Sequence, residues 1–158
     1  MYFTSVFIHI IAAAIWIGGM IFFAIVLLPA IKNHPEKAIL IHTIGLKYRL
    51  LGWPVLSLLL ITGLYNMYLR QVELSWIGLT DSNSGRLILY KLLIFLITVV
   101  ISAIHDFYIG TKATEIWMKN NSENDPGRFR AFARWAGRVN LLLALIAAGI
   151  GVAFVRGL

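Results

Sequence analysis

The sequence predicts an all-α fold: an integral membrane four-helix bundle whose helices extend beyond the bilayer on the cytoplasmic side. Three observations predict it. Of 158 residues, 59% are hydrophobic and only 13% charged, with a mean hydropathy of +0.81; a soluble domain carries about 25% charged and about 45–50% apolar residues. So much apolar surface needs lipid as its solvent. The apolar residues also fall into four runs, each close to the roughly 20 helical residues that span a hydrocarbon core. Finally, the basic residues collect on one side of those runs.

The first span covers residues 6–31, interrupted only by His9 and ended by Lys32-Asn33-His34-Pro35. The second covers 50–69 and ends at Arg70. The third covers 87–105 and holds one charge, Lys91. The fourth covers 139–155 and ends at Arg156-Gly157. Together they make a single transmembrane domain over residues 1–158. Residues 71–85 read as a loop whose Leu74, Trp76 and Ile77 lie in the interface. Residues 120–127 read as a second loop, closed by Asp125-Pro126-Gly127. Residues 36–50 and 127–138 are helix-compatible and basic, and the third helix is expected to run on to Met118. All three extensions fall on one side, as a helical stub beyond the bilayer.

Ten of the 14 Lys and Arg residues lie on the side of that stub; Arg70, Arg86, Lys91 and Arg156 belong to the other. The positive-inside rule then places both termini outside and the stub in the cytoplasm, as in a bacterial inner-membrane protein. No positive residue precedes the first run and no small-residue cleavage site follows it, so the first helix is expected to be retained. The net charge of +7 reflects topology and anionic headgroups rather than nucleic acid. Absence of cysteine excludes disulfides, thiolate nucleophiles and iron–sulfur ligation. Four scattered methionines do not make a thioether copper relay.

Ionisable residues inside a bilayer cost roughly 2.5–3.5 kcal/mol each, which marks them as candidate site residues. His9 lies in the first span and shares a helical face with Ser5, Trp16 and Met20. A neutral imidazole is the commonest haem ligand; the plainer alternative is an interfacial histidine bonded to a carbonyl or headgroup. Lys91 lies at a similar depth, where it either snorkels to the interface or binds an anionic group. The third helix carries Lys91, Thr98, Ser102, His105 and Lys112 at offsets that keep one face inward. His105 falls near the level of Arg49 and Arg138, an arrangement suited to carboxylates or to a polar layer under anionic lipid. Asp106 is expected to pair with an arginine rather than to orient His105. His42 lies further out, so an iron shared with His105 would require Pro54 to bend the second helix. His34 is expected to be exposed. Gly18-Gly19 permits close helix approach.

The run His9-x6-Trp16-x-Gly18-Gly19, with Pro29 before the helix end, resembles the opening of CopD-type membrane domains. The same start is similar to that of HemJ-type protoporphyrinogen oxidases. Tyr48-Arg49-Leu50-Leu51-Gly52-Trp53-Pro54, Lys91-x13-His105-Asp106 and Arg134-Trp135-Ala136-Gly137-Arg138-Val139-Asn140 also fit the CopD-like group, so the resemblance touches all four spans. The HemJ resemblance implies a four-helix bundle binding haem b, with a first-span His and a third-span Lys as functional positions, here His9 and Lys91. That pattern's arginine near the end of the first helix is absent, and Leu28-Pro29 stands there. The CopD resemblance implies copper handling, with histidines as the available donors.

Three readings follow. The first is a membrane b-type haem redox protein, an electron carrier or HemJ-like oxidase, with one or two haems. His9 and His105 would be iron ligands, Arg49 and Arg138 would lie near propionates, Trp16 and His42 would flank the sites, and Lys91 would bind a propionate, a porphyrin substrate or a quinone. The second is a copper transport or resistance protein. The third is a non-catalytic assembly subunit. Expected partners are the lipid bilayer and a homo-oligomeric copy, with no nucleic acid.

Overall fold

The computed structural model describes residues 1–110 and 127–157. Four long helices run through it: α1 (Tyr2–Ala30), α2 (Lys37–Leu69), α4 (Asn83–Ile109) and α5 (Gly127–Arg156), with a short α3 (Trp76–Thr80) between α2 and α4. Each long helix is apolar enough to cross a membrane. Helix is the form such a chain must take, because lipid offers no partner to an unpaired backbone N–H or C=O.

The boundaries refine those expected. α1 and α4 each begin four residues earlier than the apolar runs alone suggest, and α2 and α5 carry the expected extensions. The expected stretch of third helix beyond Gly110, with Lys112 and Met118, and most of the 120–127 loop lie outside the described residues. The 71–85 loop is corrected: it contains α3 and the first turn of α4. Two serine caps account for this. Ser75 Oγ accepts from Gly78 N at 3.0 Å, and Ser82 Oγ accepts from Gly85 N at 2.9 Å, each satisfying an orphan donor at a helix start. α2 ends on a left-handed residue, Gln71 (φ 55°), with Val72 N donating to Met67 O and Gln71 N to Tyr68 O. This is the hydrogen-bond pattern of a Schellman motif.

Two π-helical segments interrupt the long helices, Phe22–Leu27 in α1 and His105–Ile109 in α4. Both lie toward the end of the bundle opposite the termini. That end is called the basic end here, and the one carrying both termini the terminal end.

α1 packs along α2, and α4 along α5; the two pairs join mainly where α1 meets α5. The core is narrow: Ala12, Trp16, Val55, Leu56 and Ala144, with Trp53 and Phe95 packed against it. Among the described residues no large side chain is fully buried. Long apolar side chains point outward instead, as lipid requires. At the terminal end Arg70 ties three helices together. Its Nε donates to Tyr2 Oη at 2.6 Å, and its guanidinium stacks on the Tyr2 and Phe154 rings at 5.5 and 5.1 Å. An open cleft of about 650 Å³ beside it is lined by Glu73, Asp81 and Ser82 among others.

Candidate cofactor site

Near the terminal end, each pair holds one ionisable side chain between its two helices. His9 on α1 lies 2.8 Å from Thr62 Oγ1 on α2 through its Nδ1. Thr62 gives its only proton to the Leu58 carbonyl at 2.6 Å, so its oxygen is left as the acceptor and His9 Nδ1 is the donor. With Nδ1 on Thr62, Nε2 is the ring nitrogen left for another partner. From the other pair, Lys91 on α4 reaches toward α5. A Cβ at Gly151 would sit only 3.0 Å from Lys91 Nζ, so the missing side chain makes room for the ammonium.

Two buried polar atoms belong to the same region and have no partner: Ser5 Oγ, one turn from His9, and Asn66 Oδ1, one turn from Thr62. An unpaired buried polar group is rare in a folded interior, and these two each lie one helical turn from the His9–Thr62 contact. Trp16 closes the floor. It is buried at 7% exposure, packs against Gly52, and its carbonyl accepts from Tyr48 Oη at 3.0 Å.

Toward the basic end, His105 Nδ1 lies 3.0 Å from Asp106 Oδ1. The part of the expectation that kept Asp106 off the His105 imidazole is corrected. The π-helical turn from His105 changes the angle between neighbours and lets the carboxylate fold back onto the imidazole. Arg49 still arrives, but at the Asp106 backbone carbonyl, 3.0 Å away, with its guanidinium on the Phe107 ring at 5.4 Å. Trp53 covers the other ring contact of Phe107, at 5.5 Å.

Other candidates stand apart. Arg138 is exposed and does not join Arg49 and His105. His42 is half-buried on α2, seven residues before Arg49; among the described residues no hydrogen bond links it to His105, and α2 runs through Pro54 as one helix. His34 is exposed and accepts from Glu36 N. Gly19 sits against the Tyr48 ring, whereas Gly18 faces open space. The inward stripe on α4 is as expected, with Thr98 and Ser102 at 4% and 3% exposure. Thr62, Asn66, Tyr48 and Asn140 were not singled out from sequence as site residues. The signal for Thr62 was a lone hydroxyl in an otherwise Leu- and Ile-rich stretch, as far from Arg70 as His9 is from the chain start.

Among the described residues no three His, Asp or Glu side chains converge on one point. Comparison with known families gives a match to copper resistance protein D over residues 44–154, from near the start of α2 to near the end of α5. The chain belongs to the CopD family. An uncharacterized protein of Aquifex aeolicus (strain VF5) is 34% identical over 148 residues, which cover 92% of this chain and 90% of that protein. No solved structure matches. As a CopD-family chain it is a membrane protein of the copper-resistance type, and Arg49, Lys91, His105 and Asn140 all fall inside the matched region.

Proposed function

We propose that this chain is a membrane b-type haem protein with a redox role, its haem held by His9 beside Lys91. One observation carries the reading: Thr62 engages His9 through Nδ1 and so leaves Nε2 for a ligand, at the end of the bundle where Lys91 packs its ammonium against Gly151. A porphyrin brings four nitrogen donors of its own, so its iron needs only one or two from protein. A bare copper or zinc ion takes three or four side-chain ligands, and among the described residues no such group is gathered. The residues fit haem in further respects. Lys91 is placed to meet a propionate, and the orphaned Ser5 and Asn66 suit a guest with polar edges. Haem b, when bound, supplies one-electron exchange. The chain's part is to orient the imidazole through Thr62, hold an anionic edge at Lys91, and exclude bulk water with Trp16. His105, whose Nδ1 is held by Asp106, offers a second imidazole on the same terms at the basic end. The basic excess supports a cytoplasmic position for that end.

The test is an absorption spectrum of protein purified in mild detergent, oxidised and dithionite-reduced, with a pyridine haemochrome assay. A Soret band with sharp reduced α and β peaks, lost from the outer site in His9→Ala, is the expected result. A colourless protein from a haem-replete host overturns it. A second reading, copper handling, is favoured by the family to which the chain belongs; it predicts stoichiometric copper by elemental analysis and no Soret band.

A further inference from the structure

We infer that the cleft at the terminal end binds the headgroup of an aminophospholipid, phosphatidylethanolamine. Arg70 takes its phosphate, and Glu73 and Asp81 take its ammonium.

The cleft is walled by the end of α2, by α3 and by the start of α4, with Phe154 of α5 on one side. Its volume of about 650 Å³ falls within the roughly 300–1,000 Å³ of small-molecule sites. It holds charges of both signs, yet among the described residues Arg70, Glu73 and Asp81 form no ion pair. Two of the three are held by other anchors instead. Arg70 Nε donates to Tyr2 Oη at 2.6 Å, and its guanidinium lies against the Tyr2 and Phe154 rings. Glu73 Oε1 accepts from Ser75 Oγ at 2.7 Å, the same hydroxyl that caps α3. A guanidinium carries donors on all its nitrogens, so the two Nη groups of Arg70 are left for a guest. Glu73 likewise keeps its second oxygen.

Glycine fixes the shape of the walls. A Cβ at Gly78 would lie 2.7 Å from both Glu73 Cβ and the Glu73 carbonyl, and one at Gly85 would collide with the Gly78 carbonyl. Both glycines line the cleft, so backbone packs on backbone where α3 meets α4. Charges held in advance on such a frame lose little freedom on binding. The same short helix sets the depth. Leu74, Trp76 and Ile77 are 55%, 74% and 66% exposed, an apolar group at a span end, where aromatic belts meet the headgroups. Ile77 belongs to both surfaces, because it also lines the cleft with Ile88 and Phe154. The cleft is thus continuous with the lipid interface, and its occupant comes from there.

The chemistry selects among headgroups. Two oxygens of a phosphodiester match the planar fork of an arginine. A primary ammonium carries N–H donors for carboxylate oxygens, whereas the quaternary ammonium of phosphatidylcholine carries none. Phosphatidylglycerol brings the phosphate without a cation, and so meets Glu73 and Asp81 as like charges. A headgroup with both a phosphate and a primary ammonium addresses all three side chains. The site includes neither His9 nor Lys91, so it stands apart from the haem reading.

The experiment is native mass spectrometry of the full chain in detergent, titrated with phosphatidylethanolamine, phosphatidylcholine and phosphatidylglycerol of identical acyl chains. Wild type should bind one phosphatidylethanolamine about tenfold or more tightly than either other lipid, a margin of about 1.4 kcal/mol. Glu73→Gln with Asp81→Asn, both at exposed positions, should bring phosphatidylethanolamine down to the level of phosphatidylcholine. Arg70→Gln should weaken both lipids. Because Arg70 also joins three helices, the carboxylate pair is the deciding variant, with its fold checked by circular dichroism. Equal binding of the three lipids by wild type overturns the proposal. So does a preference for phosphatidylglycerol, or a preference for phosphatidylethanolamine that survives in the folded double variant. Free phosphoethanolamine binding as tightly as the lipid would assign the cleft to a soluble ligand and overturn the lipid assignment.

Discussion

The Thr62 hydroxyl, 2.8 Å from His9 Nδ1, decides which nitrogen of that ring is left to act. Because Thr62 spends its proton on Leu58 O, the ring donates through Nδ1, which leaves Nε2 to meet another group. The tautomer is thus set by a backbone carbonyl on a neighbouring helix, two bonds removed from any ligand.

Thr62→Val keeps the shape of this contact and removes the acceptor. Outer-shell partners of a metal-ligating histidine are commonly worth about 10–100-fold in affinity. The variant should therefore retain the fold while haem occupancy falls, measured as the Soret-to-protein ratio during titration with haem. Retention equal to wild type would show that Thr62 does not orient the ligand. His9→Ala should abolish the outer site altogether.

Reading the chain from sequence succeeded where hydropathy dominates. The four apolar runs, the basic extensions and the inward stripe of Thr98 and Ser102 follow from the cost of placing polar groups in lipid. It failed where short-range hydrogen bonding decides. The caps at Ser75 and Ser82 turned an expected loop into helix, and the π-helical turn at His105 re-aimed Asp106. Arg138 was assigned to an inner layer by depth alone; depth is legible from residue counting, but the direction a side chain takes around a helix with a π-segment nearby is not. His9 and Lys91 were matched in depth by that same count; His9 packs between α1 and α2 and Lys91 between α4 and α5.

Glycines test the packing. A Cβ at Gly52 would lie 2.8 Å from Trp16 Cζ3, whereas one at Gly18 meets nothing within 4 Å. Gly52→Ala should destabilise the bundle by about 1–3 kcal/mol, the usual cost of overpacking. Gly18→Ala should stay within about 0.5 kcal/mol of wild type. Thermal unfolding in detergent, followed by circular dichroism, separates the two; equal midpoints would mean that Trp16 is not seated on α2.

The charge asymmetry makes a topological prediction that the absence of cysteine renders simple to test. Asn33→Cys lies in the turn at the basic end, and Asp81→Cys at the terminal end between α3 and α4. An impermeant maleimide should label Asp81→Cys in intact cells, and Asn33→Cys only after permeabilisation. The reverse pattern would put His9 and Lys91 on the cytoplasmic side.

The buried Asn140–Ser102 bond joins α4 to α5 at 2.7 Å, but it need not contribute much stability. Interhelical hydrogen bonds in membranes average about 0.6 kcal/mol in double-mutant cycles and reach about 1.7 kcal/mol, because the unfolded chain in lipid finds other partners. A cycle of Ser102→Ala and Asn140→Leu should give a coupling in that range, measured by reversible unfolding in mixed micelles. A much larger coupling would make the pair a structural lock, with its burial explained by stability alone. A small one would leave Asn140, buried with an unpartnered oxygen in the middle of the bundle, without a structural reason to be polar. A role in holding water then becomes the explanation its chemistry supports.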